Sequence, residues 1–211
     1  MIKRKEPGKP ASTAVSRRGF IRGAGIGGGV LGSGVLEEQA RAQAGVQPVG
    51  PGPVPVTLNI NGKPQKLNLE PRTTLSEALR DHLNFTGSKS VCDRGYCGAC
   101  TVLMNGKAVY SCSILAIDAQ GQEIQTIEGL NAGNRLHPVS AAFINNDAQQ
   151  CGYCTPGFVM AVTGFLKTHP NPTEAQVEHG LGGNICRCGT YIGIRKAVLE
   201  AAKTTKGGPN A

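Results

Sequence analysis

The sequence predicts an α+β fold in two successive units: a small sheet wrapped on one helix, then a bundle of four helices. Three observations predict it. Between residues 54 and 127, short runs of alternating apolar and polar residues are punctuated by Asn-Gly pairs, the pattern of strands and tight hairpins. Beyond Gly129 the apolar period becomes helical, with Pro and Thr at the starts and stops. All eight cysteines fall into two quartets, one in each unit.

The elements follow in chain order. Residues 45–53, GVQPVGPGP, form a Pro/Gly linker. Val54 to Ile60 reads as a strand with Val54, Val56, Leu58 and Ile60 on one face, and Asn61-Gly62 turns it into a return strand over Lys66–Leu69. Thr74-Leu75-Ser76-Glu77 is a capping box, in which the Thr hydroxyl and the Glu carboxylate satisfy free amides at a helix start. Leu75, Ala78, Leu79 and Leu83 then make the apolar stripe of a helix running to about Leu83. Ser88 to Cys100 is a loop. Thr101–Met104 and Ala108–Cys112 form a second hairpin around Asn105-Gly106, and Glu123–Ile127 is a last strand. Pro138–Asn145, Pro156–Lys167, Glu174–Leu181 and Ile192–Lys203 read as helices; His169-Pro170-Asn171-Pro172 stops the second and Thr173 caps the third. The units thus span 54–130 and 135–204, with a tail at 205–211. The segment Gly129–Arg135 resembles a linker, which predicts that the two units fold separately.

The formal net charge is +8, but it is uneven. Residues 1–44 hold Lys3, Arg4, Lys5, Lys9, Arg17, Arg18, Arg22 and Arg41 against Glu6, Glu37 and Glu38. The remainder shows no basic stripe with interleaved aromatics, so nucleic-acid binding is not expected. The N-terminal segment has the parts of an export signal. Ser16-Arg17-Arg18-Gly19-Phe20-Ile21-Arg22 precedes an apolar, Gly-rich run from Gly23 to Leu36, and small-residue cleavage sites end at Ala42 or Ala44. The arginine pair resembles the bacterial twin-arginine signal, which predicts export of a folded protein to the periplasm. The run is shorter than the roughly 20 apolar residues a bilayer span needs, so no stable membrane span is expected. Gly23-Ala24-Gly25-Ile26-Gly27-Gly28 matches the dinucleotide fingerprint, but it follows basic residues rather than a strand and belongs to the leader.

Cys92, Cys97, Cys100 and Cys112 read C-x4-C-x2-C-x11-C, and the x4 and x2 spacings with a later fourth cysteine are the plant-type arrangement for a 2Fe–2S cluster. Cys151, Cys154, Cys186 and Cys188 read C-x2-C-x31-C-x-C. A 2Fe–2S rhomb takes two thiolates on each iron, and the loop Asp93-Arg94-Gly95-Tyr96-Cys97-Gly98-Ala99-Cys100 can wrap one, because Gly95 and Gly98 allow positive φ. Cys154 precedes a helix opened by Pro156, whose N-terminal dipole favours a negatively charged group. Two such clusters predict a protein that passes electrons. Structural zinc and a disulfide framework are the rival uses of eight cysteines; the x4/x2 loop and the C-x-C pair speak for iron–sulfur. His82, His137, His169 and His179 stand apart from the cysteines and read as surface or helix-end residues.

At these motifs the chain resembles the small iron–sulfur subunit of the molybdenum hydroxylases, the xanthine dehydrogenase and aldehyde oxidase family, with the likeness running from about Val54 to Lys203. The matching stretches are Val91-Cys92-Asp93-Arg94-Gly95-Tyr96-Cys97-Gly98-Ala99-Cys100-Thr101-Val102, Thr126-Ile127-Glu128-Gly129-Leu130, His137-Pro138, Gln150-Cys151-Gly152-Tyr153-Cys154-Thr155-Pro156-Gly157 and Gly183-Asn184-Ile185-Cys186-Arg187-Cys188-Gly189. The resemblance implies a plant-ferredoxin-like β-grasp domain followed by a four-helix domain, each holding one 2Fe–2S cluster. It implies a large partner subunit carrying molybdopterin, including its cytosine dinucleotide form, and a medium FAD-binding subunit in a hetero-oligomer. It also implies that Gln150 and Cys188 contact the molybdopterin, and that the second cluster receives electrons and the first hands them outward. The chain shows no catalytic acid/base constellation of its own, and Glu128 and Asp93 read as strand-end and loop residues. A free-standing ferredoxin-type carrier is the alternative; the second unit argues against it, since a free carrier needs only the first.

Overall fold

The computed structural model describes residues 49–131 and 136–205. The predicted leader, the first half of the linker, residues 132–135 and the tail beyond Thr205 lie outside the described residues. The first hairpin pairs strand β1, Val54–Ile60, with strand β2, Lys63–Leu69, in antiparallel register from Val54 opposite Leu69 to Ile60 opposite Lys63. Asn61 and Gly62 take φ of 52° and 74°, the left-handed pair a two-residue hairpin turn needs. In β1, Val56, Leu58 and Ile60 are buried and the residues between them are more exposed, so the alternation read from the sequence is the alternation of the sheet faces.

Helix α1 begins at Leu75 with both arms of the capping box formed: the Glu77 amide donates to the Thr74 hydroxyl, and the Thr74 amide donates to the Glu77 carboxylate. Its α-helical turn, Leu75–Glu77, widens into a π-helical turn over Ala78–His82. Asn84, at φ 59°, ends it in the left-handed conformation common at helix C-termini. The π turn is a departure from the regular helix the apolar stripe predicts. Strands β3, Thr101–Met104, and β4, Lys107–Tyr110, make the second hairpin around Asn105-Gly106. Strand β4 ends before Cys112, which sits instead in a 3-10 turn, Ser111–Ser113. Strand β5 is short, Glu123–Gln125, and inserts between β1 and β3, parallel to β1 and antiparallel to β3. The sheet order is therefore β2-β1-β5-β3-β4. Helix α1 closes one core with Leu75, Ala78 and Leu79 against Val56, Leu58, Ile60, Val102 and Ile124.

A four-residue helix α2, Ile127–Leu130, follows where the sequence predicts the end of a strand. It places Glu128 to accept a hydrogen bond from the Gly87 amide at 2.8 Å. The four predicted helices are present: α3, Pro138–Asn145; α4, Thr155–Thr168; α5, Glu174–Gly180; and α6, Tyr191–Thr205. Helix α3 is capped by the His137 ring, whose Nδ1 accepts from the Val139 amide. Helix α5 has a complete Thr173–Gln176 capping box. Phe143, Phe158, Val162, Val198 and Ala201 lie in the second core.

Helix α4 also lies on strands β3 and β4, and the described residues form one compact unit. The contact is close because two glycines of α4 have no side chain. A Cβ on Gly164 would lie 3.0 Å from Leu103 Cδ2 and 3.2 Å from Ala108 Cβ, and one on Gly157 would overlap the Gly98 carbonyl oxygen. The two predicted units are thus packed face to face, with the cysteine loops at their seam. No described helix is long and apolar enough to cross a membrane.

Candidate metal centres

The first four cysteines converge from a loop and a turn. The Cys92 and Cys97 thiols lie within hydrogen-bonding reach of each other, as do those of Cys100 and Cys112. Gly95 and Gly98, at φ 66° and 70°, curl the loop so that its amides face inward. The Gly95 amide donates to Cys112 Sγ at 3.2 Å and the Tyr96 amide to Cys92 Sγ at 3.4 Å. Burial raises the cost of a thiolate at Cys92, but the amides of Arg94, Tyr96 and Cys97 outweigh it and bring that thiol down to about 7. Burial raises Cys97, and it pushes Cys100 up to about 11, where the Cys112 thiol adds to the effect. Burial also raises the Tyr110 phenol, with the charges of Cys100, Cys97 and Cys92 acting in the same direction.

The second four converge from the two connections flanking α4 and α5. Cys154 pairs with Cys186, and Cys151 pairs with Cys188. The inner pair is shielded: Cys186 is buried and Cys154 half-buried, while Cys151 and Cys188 are exposed. Burial pushes Cys154 up to about 12, with the neighbouring Cys186 sulfur adding to it. At Cys186 burial also raises, but the Thr190 hydroxyl, 3.1 Å from the sulfur, the Thr190 amide, the Cys154 thiol and the Cys188 amide together lower that thiol. The Tyr153 amide leads in lowering Cys151. At Cys188 the Cys151 amide pulls down, but the shared thiol hydrogen bond and nearby sulfur charges leave it raised.

This two-by-two pairing bears on the chemistry. A tetrahedral single-ion site draws its ligands to one point, and among the described residues no three His, Cys, Asp or Glu converge in that way. A 2Fe–2S rhomb takes one pair of thiolates at each end. A second observation fits it. The Thr155 hydroxyl, next to Cys154 at the start of α4, is buried without a hydrogen-bond partner, which leaves a donor free for a sulfur.

The remaining predicted positions are also placed. Gln150 is exposed and adjoins the exposed Cys151, on the open edge of the second quartet. Asp93 accepts from the Ser90 hydroxyl at 2.8 Å within the first loop. His169 follows the end of α4 and stacks on Phe165, and His137 caps α3, the helix-end places the sequence predicts for them. The sequence singles out neither Thr190 nor Asn184. Asn184 is 6% exposed, and its side-chain amide reaches the Gly98 carbonyl oxygen at 2.9 Å. The signal for both was faint: a hydroxyl just past the C-x-C-G run, and a polar residue inside a Gly-rich turn.

Comparison with known proteins agrees with this arrangement. Two family models match, a 2Fe-2S iron-sulfur cluster binding domain over residues 58–128 and a [2Fe-2S] binding domain over residues 126–199. The chain is 38% identical over 215 residues to the aldehyde oxidoreductase iron-sulfur-binding subunit PaoA of Escherichia coli O157:H7, covering 94% of this chain and 93% of that one. The crystal structure of quinoline 2-oxidoreductase from Pseudomonas putida 86 contains a similar chain, at TM-score 0.71 and 36% identity, with 74% of this chain and 98% of that chain covered. The aldehyde oxidoreductase of Desulfovibrio desulfuricans ATCC 27774 matches at TM-score 0.69 and 37% identity over 72% of this chain, but only 17% of that longer chain. With two 2Fe–2S-binding domains in this order and these relatives, the chain belongs to the iron–sulfur small subunits of the molybdenum hydroxylases, the xanthine dehydrogenase and aldehyde oxidase family.

Proposed function

We propose that Cys92, Cys97, Cys100 and Cys112 hold one 2Fe–2S cluster, that Cys151, Cys154, Cys186 and Cys188 hold the other, and that the chain relays electrons from a molybdopterin-bearing large subunit to a flavin subunit or other acceptor. A bound 2Fe–2S cluster takes up and gives off one electron at a time. The observation that carries the reading is the placement of the quartets. Their loops are joined directly: the Ile185 amide, next to Cys186, donates to the Cys97 carbonyl oxygen at 3.0 Å.

The second quartet has its exposed pair, Cys151 and Cys188, at the surface beside Gln150, and its shielded pair, Cys154 and Cys186, packed on the core of the second half. This asymmetry supports entry at Cys188 and Gln150 from the large subunit, and exit through the first quartet. Tyr153 and Ile185 by the second quartet, and Val91 and Tyr96 by the first, are large apolar side chains left exposed. Such groups clustered at electron ports suit burial by partner subunits. Tyr153 also spans the ports, its hydroxyl donating to the Ser90 carbonyl at 3.3 Å and its ring lying 5.7 Å from Lys89 Nζ.

The same reading places the protein in the periplasm, exported folded by the twin-arginine route. Export after folding would carry the thiolates across already occupied, which reconciles eight unpaired cysteines with an oxidising compartment. Two experiments test the proposal. Affinity purification of the tagged chain is expected to bring down a large molybdopterin-bearing subunit, and recovery of the chain alone would favour a free carrier. Cell fractionation is expected to place the protein in the periplasm, with Arg17→Lys/Arg18→Lys retaining it in the cytoplasm; unchanged periplasmic yield in that variant would reject the route.

A further inference from the structure

The relay above needs the two quartets held at a fixed spacing, and one buried side chain is placed to do it. Asn184 lies in the turn that leads to Cys186, yet its side-chain bonds reach the other half of the molecule. Its Nδ2 donates to the Gly98 carbonyl oxygen at 2.9 Å and approaches Thr101 Oγ1 at 3.3 Å. Gly98 is the residue after Cys97, so the amide grips the loop between two cysteines of the first quartet. The next residue adds a parallel strap, the Ile185 amide to the Cys97 carbonyl. The Asn184 backbone is held from its own side, its main-chain N–H donating to the Leu181 carbonyl at 3.0 Å.

The packing around this grip leaves little slack. A Cβ on Gly98 would lie 2.5 Å from Asn184 Nδ2 and 2.9 Å from the Gly183 carbonyl oxygen, and one on Gly183 would run into the Tyr110 hydroxyl. A buried amide that loses its partner suffers the full desolvation penalty, so the Asn184–Gly98 bond favours one relative position of turn and loop over all others. The Gly98 carbonyl also accepts from the Thr101 hydroxyl at 2.6 Å, so loop, strand β3 and turn meet at one oxygen.

We propose that Asn184 is a positioning residue for electron transfer: it clamps the ligand-bearing turn of the second quartet to the ligand-bearing loop of the first and so sets the coupling between the two clusters. The proposal rests on the relay reading of the previous subsection and adds to it the residue that fixes its geometry.

The test uses the full chain with both clusters loaded, wild type beside Asn184→Ala, with iron content and low-temperature EPR of the fully reduced protein. In the wild type the two paramagnetic clusters are expected to broaden each other's signals by spin–spin interaction. In Asn184→Ala the iron content and both g-value sets are expected to persist while that mutual broadening is lost. Thr101→Val, which spares the Asn184–Gly98 bond, is expected to keep the broadening. Unchanged broadening in Asn184→Ala at full iron content overturns the proposal. Loss of the first cluster alone supports it, because the side chain's bonds, to Gly98 and Thr101, both lie on that cluster's side; loss of the second cluster alone overturns it. Where the alanine variant loads neither cluster, Asn184→Ser is read by the same criteria, and failure of both variants to load overturns the proposal by making the residue a folding requirement. A wild-type chain that shows no pair of coupled signals would instead sink the relay itself, before any variant is compared.

Discussion

Thr190 gives the clearest single-residue lever on the second quartet. Its hydroxyl and amide both reach Cys186 Sγ and lead the hydrogen bonds, shared with Cys154 and Cys188, that lower that thiol against burial. Donors to a ligand sulfur favour the more negative, reduced cluster and so raise its potential. Thr190→Val is expected to lower the reduction potential of the second cluster and leave the first unchanged, as read by an EPR-monitored redox titration; equal potentials in variant and wild type would remove Thr190 from the tuning. Cys97→Ser addresses the other quartet. It is expected to abolish the first EPR signal and keep the second, whose four thiols it does not touch; loss of both signals would show that the quartets load as one. At this scale the grouping of the eight cysteines into two quartets was legible in the sequence, because spacing is local. Asn184 and Thr190 were not. The partner of Asn184 lies 86 positions away, and no local pattern encodes a contact across that distance.

Helix α4 is the element on which the two halves depend. Its N-terminus follows Cys154, its buried face fills the second core with Phe158 and Val162, and Gly157 and Gly164 let it lie against the first loop and strands β3 and β4. Gly157→Ala puts a methyl group onto the Gly98 carbonyl, and is expected to destabilise by about 1–3 kcal/mol, the usual range for overpacking a close contact. Urea unfolding of the loaded protein measures it, and a midpoint equal to wild type would mean that the seam yields freely. Thr173→Ala removes the helix α5 capping box and is expected to cost about 1 kcal/mol in the same assay. The elements most legible in the sequence were those with local chemistry: both Asn-Gly hairpins, both capping boxes and all four later helices. The π turn in α1, the 3-10 turn that carries Cys112 and the helix α2 were not. Each is a short adjustment imposed by tertiary packing. The insertion of β5 between β1 and β3 was equally hidden, since two and three residues of pairing leave no signature in a single sequence.

Across the whole molecule, the thiols store protons that cluster assembly must release. Burial pushes Cys100 up to about 11 and Cys154 up to about 12, while amides bring Cys92 down to about 7. The ligand form is the thiolate, so metal competes with protons and binding weakens as pH falls. Cluster reconstitution of the unloaded chain is therefore expected to slow between pH 8 and pH 6, most steeply as Cys92 takes up its proton around pH 7; a rate independent of pH over that window would show that these thiols are not the ligands. The two predicted units share a seam among the described residues, and the turn leading to Cys186 is hydrogen-bonded to the Cys97 loop across it. On the proposed relay that seam joins the two clusters, and electron order is its most direct consequence. Rapid freeze-quench EPR of the proposed complex, mixed with its oxidisable substrate, reads that order. The second-quartet signal is expected to appear first, with the first-quartet signal following as it drains, and with about four irons per chain for two such clusters. Appearance of the first-quartet signal ahead of the second, or a chain that folds fully without iron, would contradict the account.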